Sequence, residues 1–351
     1  MRVSLLIFVF VQPMMISKNV SLKPYNTFGL EVFAAQFVEV HSTSELNEII
    51  TNTDTKHILK FILGGGSNIL FTKDFDGLII RNKIAGIEVV QEDDDFAWVK
   101  AGGGEVWHAF VLWTLAHNFA GLENLSLIPG SVGAAPIQNI GAYGVEIKYT
   151  FFELEAMNLS DGNIQKFTHA ECHFGYRDSI FKREAKNKFA IVSVTFRLSK
   201  KPNLNTSYGA IEQELKAMNI QHAGIREISQ AVINIRSSKL PDPAKIGNAG
   251  SFFKNPEVEN SLYDNLKSQY PDLVGYKTPS GKMKLAAGWL IEQCGWKGKV
   301  SGHVGMHKQQ ALVLVNYGGA TGAELIQHAR TVQASVKEKF GIELEMEVNV
   351  L

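Results

Sequence analysis

The spacing of apolar positions changes along the chain, and the changes mark its elements. Leu46, Ile49 and Ile50 recur at helical spacing behind Ser42 and Ser44. That pattern predicts a short amphipathic helix with a serine cap. An apolar run over residues 57–63 ends in Gly64-Gly65-Gly66-Ser67-Asn68, and apolar residues resume at once with Ile69, Leu70 and Phe71. Residues 77–80 read as another strand. Asp93-Asp94-Asp95 reads as a hairpin tip between strands over residues 87–90 and 97–100. Gly102-Gly103-Gly104 then leads into a helix over residues 106–118.

Residues 121–144 are dense in Gly, Ala, Pro, Asn and Ser and show little helical or strand period. A long irregular stretch inside a compact domain is usually functional. Strands resume over residues 150–157 and 189–198, with Asp161-Gly162 as a hairpin turn. Pro241-Asp242-Pro243 marks a boundary. Near the end, Thr321 and Glu324 form a capping box. Leu325, Ala329, Val332, Val336 and Phe340 then make one helical stripe, closed by Gly341. Ile342, Leu344, Met346 and Val348 alternate with Glu343, Glu345 and Glu347, which predicts a strand carrying its carboxylates on one face.

Composition narrows the classes. The chain has 351 residues, 45% of them hydrophobic and 20% charged, so it is globular and long enough for two or three domains. Lys plus Arg equals Asp plus Glu at 35 each, which gives no general reason to bind nucleic acid or an anionic membrane. Cys172 and Cys294 are the only cysteines, too few for a disulfide scaffold or a four-cysteine zinc site. The apolar run over residues 3–11 is shorter than a membrane span of roughly 20 residues. It has no small-residue cleavage site after it, and residues 1–14 read as an extension upstream of a start at Met14 or Met15.

The candidate chemistry is scattered. Gly64-Gly65-Gly66-Ser67-Asn68 could present backbone N–H groups to a phosphate, but it is neither a Rossmann fingerprint nor a P-loop. The residues themselves leave a plain glycine turn open. Arg177 could grip a carboxylate, although pairing with Asp178 at the surface is the simpler reading. Ser251 lies in a turn before Phe252 and Phe253, outside any Gly-x-Ser-x-Gly frame. By default Glu343, Glu345 and Glu347 are a solvated strand face. His303 and His307 have ligand spacing, but Gly302 and Gly305 oppose a helix there, and no metal site is expected. Trp107 and Trp113 read as packing.

Together these pieces resemble one family. The segments over residues 26–29, 63–71, 121–125, 128–133, 136–144, 175–179 and 247–256 look like the UDP-N-acetylenolpyruvoylglucosamine reductases, MurB. The resemblance runs from about residue 21 to residue 348, and Asn205-Thr206-Ser207-Tyr208-Gly209 looks like the tyrosine loop of the type I subgroup. It implies an α+β fold: a two-lobed FAD-binding unit of the vanillyl-alcohol-oxidase type plus a separate α+β substrate-binding domain. The expected division is residues 15–84 for the first lobe, 85–240 for the second, and 241–351 for the substrate domain, whose C-terminal strand returns to the active site. The resemblance also implies a cytoplasmic enzyme of peptidoglycan precursor synthesis. Noncovalent FAD would be reduced by NADPH and would in turn reduce a UDP-sugar enolpyruvyl ether. A monomer is the default, and no nucleic acid or membrane partner is expected. The alternatives are another FAD oxidoreductase of the same fold or a non-catalytic flavin binder.

The resemblance extends residue by residue. Arg177 and Glu347 match the pair at the substrate carboxylate, and Ser251 matches the proton donor to C2. Gly64, Gly65, Gly66, Ser67, Asn68, Pro129, Gly130, Ser131, Gly133, Ile140, Gly141 and Arg236 match flavin contacts. Tyr208, Lys239, Asn255 and Gln310 match substrate contacts, with Tyr208 and Lys239 suited to a diphosphate. Relatives often carry a basic residue two positions after the glutamate. Here that residue is Asn349, and the chain stops at Leu351.

Overall fold

The computed structural model describes residues 15–206 and 208–351. The apolar run over residues 3–11 lies outside the described residues. The first sheet has the order Ser17–Ser21, Phe33–Val40, Phe75–Asn82, Lys60–Leu63. Its last three strands are parallel and the first is an antiparallel edge. Leu78, Ile79 and Ile80 are consecutive and all fully buried, as expected of a strand covered on both faces. Leu78 and Ile80 face Leu46, Ile49 and Ile50 of the helix Thr43–Thr51. Ile79 faces the opposite way, into a core shared with the C-terminal helices. Ser42 caps the helix by accepting from the Glu45 amide at 3.1 Å, as the sequence predicts.

The second sheet is antiparallel, in the order Ile164–Thr168, Phe151–Asn158, Phe189–Ser199, Phe96–Gly102, Ile87–Glu92. The Asp93 carboxylate accepts from the amides of Asp95 and Phe96, which makes the predicted hairpin tip. Trp107 and Phe110 of the helix Trp107–Ala116 pack against Phe196 of this sheet. Residues 121–144 cross this unit as short 3-10 turns rather than long elements. The Trp107 indole N–H anchors them by donating to the Leu125 carbonyl. Gly102, Gly103 and Gly104 have a packing role, because backbone of residues 83–85 and 191 lies where their side chains would be.

Beyond the helix Ile225–Lys239, the chain forms a four-stranded sheet containing Gly247–Ser251 and Val313–Asn316, and a three-stranded sheet of Glu257–Val258, Met283–Leu285 and Gly275–Lys277. The helix Gly322–Phe340 has the predicted Thr321–Glu324 capping box and ends at Gly341 in the left-handed region. Among the described residues no helix is long and apolar enough to cross a membrane.

The predicted strand after Gly341 is corrected. Residues 342–348 form only an isolated bridge between Met346 and Phe253. Glu347 N donates to the Phe252 carbonyl, and Lys254 N donates to that of Glu345. Pro256 has no N–H to extend this pairing. Ile342, Leu344 and Val348 are buried as the alternation requires. The chain then pairs Asn349–Val350 in parallel with Ile69–Leu70, beside the first glycine loop.

Candidate active site

Arg177 stands in a tight turn closed by reciprocal backbone bonds between Gly175 and Asp178. Its φ of 52° is in the left-handed region, where a bulky residue needs support. Neighbours supply it: Asn139 donates to the Gly175 carbonyl at 2.8 Å and Ser179 donates to that of Ile137 at 2.7 Å. The Arg177 guanidinium donates to the Gly141 carbonyl, and its Nε lies 3.2 Å from the Glu347 carboxylate. A Cβ on residue 141 would lie 2.8 Å from the Val145 carbonyl oxygen and 2.9 Å from an Arg177 terminal nitrogen, so only glycine fits there. The expected surface pair with Asp178 does not form; Asp178 pairs with Arg183 instead.

Glu347 is likewise no solvated face residue, since its side chain is only 13% exposed. Burial pushes its carboxyl pKa above the ordinary range, against the pull of Arg177, Lys182 and Lys254. Desolvation outweighs these attractions because so little of the side chain reaches water. Lys182 is itself held down by burial and by Lys254.

Ser251 ends the strand Gly247–Ser251 after a register shift, with Gly250 at φ 70°. The next residue, Phe252, gives its carbonyl to the Glu347 amide. The structure thus brings Ser251, Glu347 and Arg177 to one corner. The Ser251 hydroxyl has no partner among the described residues.

The loop over residues 64–68 faces residues 129–133. A Cβ on Gly65 would lie 2.9 Å from the Gly130 Cα, and one on Gly64 would strike the Ser131 hydroxyl. Gly133 N donates to the Gly103 carbonyl, and Ile140 N to that of Ala135. Asn68 donates to the Gln138 side chain at 2.5 Å and to the Glu347 carbonyl at 3.4 Å, linking this loop to the corner. Asn349 spends its amide on the Asn68 carbonyl at 3.1 Å.

Arg236 sits behind these loops. Its Nε donates to the Leu127 carbonyl at 3.3 Å and it bonds the Tyr143 hydroxyl. Burial and the Arg177 charge lower its pKa. A buried guanidinium with no carboxylate partner among the described residues suits an electron-rich cofactor edge. Two glycine loops at backbone contact suit a diphosphate. The residues present therefore fit FAD.

The remaining candidates separate. Asn255 accepts from the Ala287 amide at 2.9 Å and lies against the Tyr176 phenol. Gln310 approaches the same helix start, where a Cβ on Gly288 would lie 3.0 Å from its side-chain oxygen. Tyr208 stands edge-on to Tyr143 at 5.4 Å, with its phenol influenced by Tyr276. Lys239 is exposed at the end of its helix and is brought against none of the others. Sequence reasoning missed Lys182, Lys254, Tyr143 and Tyr276. Tyr143 and Lys254 lie within the segments 136–144 and 247–256 that carry the resemblance, whereas Lys182 and Tyr276 carried no local signal.

Fold and site together define a FAD-binding oxidoreductase of α+β architecture. A family model described as FAD binding domain matches residues 34–168, and one described as UDP-N-acetylenolpyruvoylglucosamine reductase, C-terminal domain, matches residues 242–351. The reductase of that name from Flavobacterium johnsoniae is 53% identical over 339 residues, covering 96% of this chain and all of the relative. That from Burkholderia ambifaria is 51% identical, covering 93% and 94%. A crystal structure of the Thermus caldophilus reductase shares the fold, with a TM-score of 0.68 at 23% identity, over 96% of this chain and 99% of that one. The chain belongs to the UDP-N-acetylenolpyruvoylglucosamine reductase family.

Proposed function

We propose that this chain reduces UDP-N-acetylglucosamine enolpyruvate to UDP-N-acetylmuramate at the expense of NADPH, in the cytoplasm, as a step of peptidoglycan precursor synthesis. The observation that carries this reading is the buried Arg177–Glu347 pair, one residue away from Ser251 through the Phe252–Glu347 backbone bond. Noncovalent FAD is the cofactor, held by the 64–68 and 129–133 loops, by Ile140 and Gly141, and by Arg236. Residues 15–84 and 85–240 supply its two lobes, and residues 241–351 supply the substrate domain.

FAD held there would supply the redox chemistry, a hydride taken from NADPH and passed to C3 of the enolpyruvyl group. The protein must then stabilise charge on the substrate carboxylate and protonate C2. Arg177 provides a fixed cation at that carboxylate, aligned beforehand by Gly141 and Glu347. Glu347, held toward its protonated form by burial, can donate a hydrogen bond to the same charge. Ser251 gives its proton to C2. Tyr208 and Lys239 hold the diphosphate, and Asn255 and Gln310 orient the sugar side. The Tyr208 loop corresponds to the type I subgroup.

Stopped-flow tests the reading. NADPH should bleach the yellow enzyme, and the enolpyruvyl UDP-sugar, added anaerobically, should restore the colour with formation of UDP-N-acetylmuramate. Reduced flavin that persists in the presence of this substrate would refute the assignment.

A further inference from the structure

The start of the helix Trp107–Ala116 holds the stretch that leads into the 129–133 loop. The Trp107 indole donates to the Leu125 carbonyl at 2.9 Å, and the Trp107 amide donates to that of Gly130 at 3.0 Å. Between these two bonds the Leu127 amide donates to Nδ1 of half-buried His108 at 2.9 Å. Leu127 has a φ of 58°, where a leucine is strained and persists only if its surroundings hold it. Its carbonyl accepts from Arg236 Nε at 3.3 Å. One bond lies before the Leu127 Cα and the other after it, so together they fix both of its backbone dihedrals. A backbone N–H can only donate, so Nδ1 carries no proton and the imidazole is neutral, with its hydrogen on Nε2. Protonation of Nδ1 would set two N–H groups against each other. Burial and the Arg236 charge both favour the neutral ring. The other charged groups on neighbouring elements are engaged elsewhere: Glu105 with the Gly86 amide, Glu123 with that of Gly121, and Arg226 with the carbonyls of residues 115 and 116.

We infer that His108 is a positioning residue of the flavin site: its unprotonated Nδ1 fixes the Leu127 peptide, which in turn sets the Arg236 guanidinium. The inference rests on the assignment of Arg236 to FAD. His108 itself need touch no flavin atom. Flavin affinity then depends on one proton. It is full above the ordinary imidazole pKa of 6.5, where the ring is neutral, and it falls as acid protonates the ring.

The test dilutes holoenzyme and reads FAD release as recovery of flavin fluorescence, from about pH 8 to about pH 5. Native holoenzyme should release FAD more readily as pH falls below 6.5, by at least about threefold at the acid end. His108→Leu removes the acceptor and should raise the FAD dissociation constant about tenfold at neutral pH, the scale of one hydrogen bond. His108→Asn places an amide oxygen close to where Nδ1 stands and has no proton to gain. It should restore most of the affinity and abolish the acid release. His117→Asn, at the exposed end of the same helix, should behave as the native protein. Arg236→Gln should weaken FAD binding by itself, and His108→Leu added to it should cost little more, because His108 acts through Arg236. Native affinity in His108→Leu would overturn the inference. So would acid release that persists in His108→Asn, or losses that add fully to that of Arg236→Gln. If Arg236→Gln holds FAD as tightly as the native protein, the flavin assignment of Arg236 fails. Amide hydrogen exchange at Leu127 then decides His108 alone. Protection lost in His108→Leu and kept in His108→Asn supports its hold on Leu127, and equal protection in both overturns it.

Discussion

The Arg177 corner and the Tyr208 loop, the two ends of the proposed site, are built on opposite terms. At one end Arg177 and Glu347 are 20% and 13% exposed and pair at 3.2 Å, within a turn whose flanks are bonded to residues 137, 139 and 141. At the other end Tyr208 and Tyr276 are 49% and 56% exposed. Tyr208 touches its neighbour Tyr143 only edge-on, and Lys239 is exposed. Groups that meet charge developing in a transition state gain most when already fixed and dry. Groups that grip a flexible diphosphate need reach more than rigidity, and they order when the ligand arrives.

Substitutions at the two ends should therefore differ in kind. At the rigid end Ser251→Ala should be bleached by NADPH at a near-native rate, yet be reoxidised by substrate roughly 10²–10⁴-fold more slowly. Ser251→Cys should recover part of this, as a thiol also donates a proton. Normal turnover by Ser251→Ala in stopped-flow would remove the proton-donor role. Gly141→Ala should displace the Arg177 guanidinium and slow the same half-reaction by about 10²-fold while flavin is retained. A native rate would mean that Arg177 is not held through residue 141.

At the adaptable end Tyr208→Phe should weaken substrate binding by only about 3- to 10-fold, with flavin reduction less affected. Equal affinity in a titration would detach Tyr208 from the diphosphate.

The smallest effect is on stability. Burial raises the Glu347 pKa above its ordinary value of 4.5. Below that value the carboxyl is protonated in both the folded and unfolded chain, so it costs nothing. Above it the unfolded chain ionises first, and the native protein loses stability as pH rises until the folded carboxyl ionises too. Glu347→Gln escapes this loss. Its melting temperature relative to the native protein should increase as pH is raised from about 4 toward 8. A difference independent of pH would show that Glu347 ionises as freely in the fold as outside it.

Much was legible in the sequence because it depends on neighbours along the chain. Periodicity located the helix Thr43–Thr51, the hairpin at Asp93 and the long helix Gly322–Phe340. Glycine clusters marked where chain segments approach, and residues 64–66 do meet residues 25, 130 and 131. The same signal at residues 102–104 meant packing against residues 83–85 and 191, since a glycine cluster says only that something comes close.

Tertiary structure alone decided what each charge meets. Spacing favoured Arg177 with Asp178 and left Glu347 in water, because local pattern ranks partners by distance along the chain. The fold instead brings a carboxylate from 170 positions away, along a stretch paired with Phe252, Phe253 and Lys254 and then with Ile69. The regular strand expected there shrank to a bridge because Pro256 and the short partner could not extend it. The alternation of Ile342, Leu344 and Val348 correctly predicted which face is buried. It carried no information on how deep the opposite face would lie. Burial depth depends on which elements cover a face, and desolvation depends on burial depth. The raised carboxyl of Glu347 and the Arg236 guanidinium without a carboxylate partner among the described residues are therefore properties of the packed molecule.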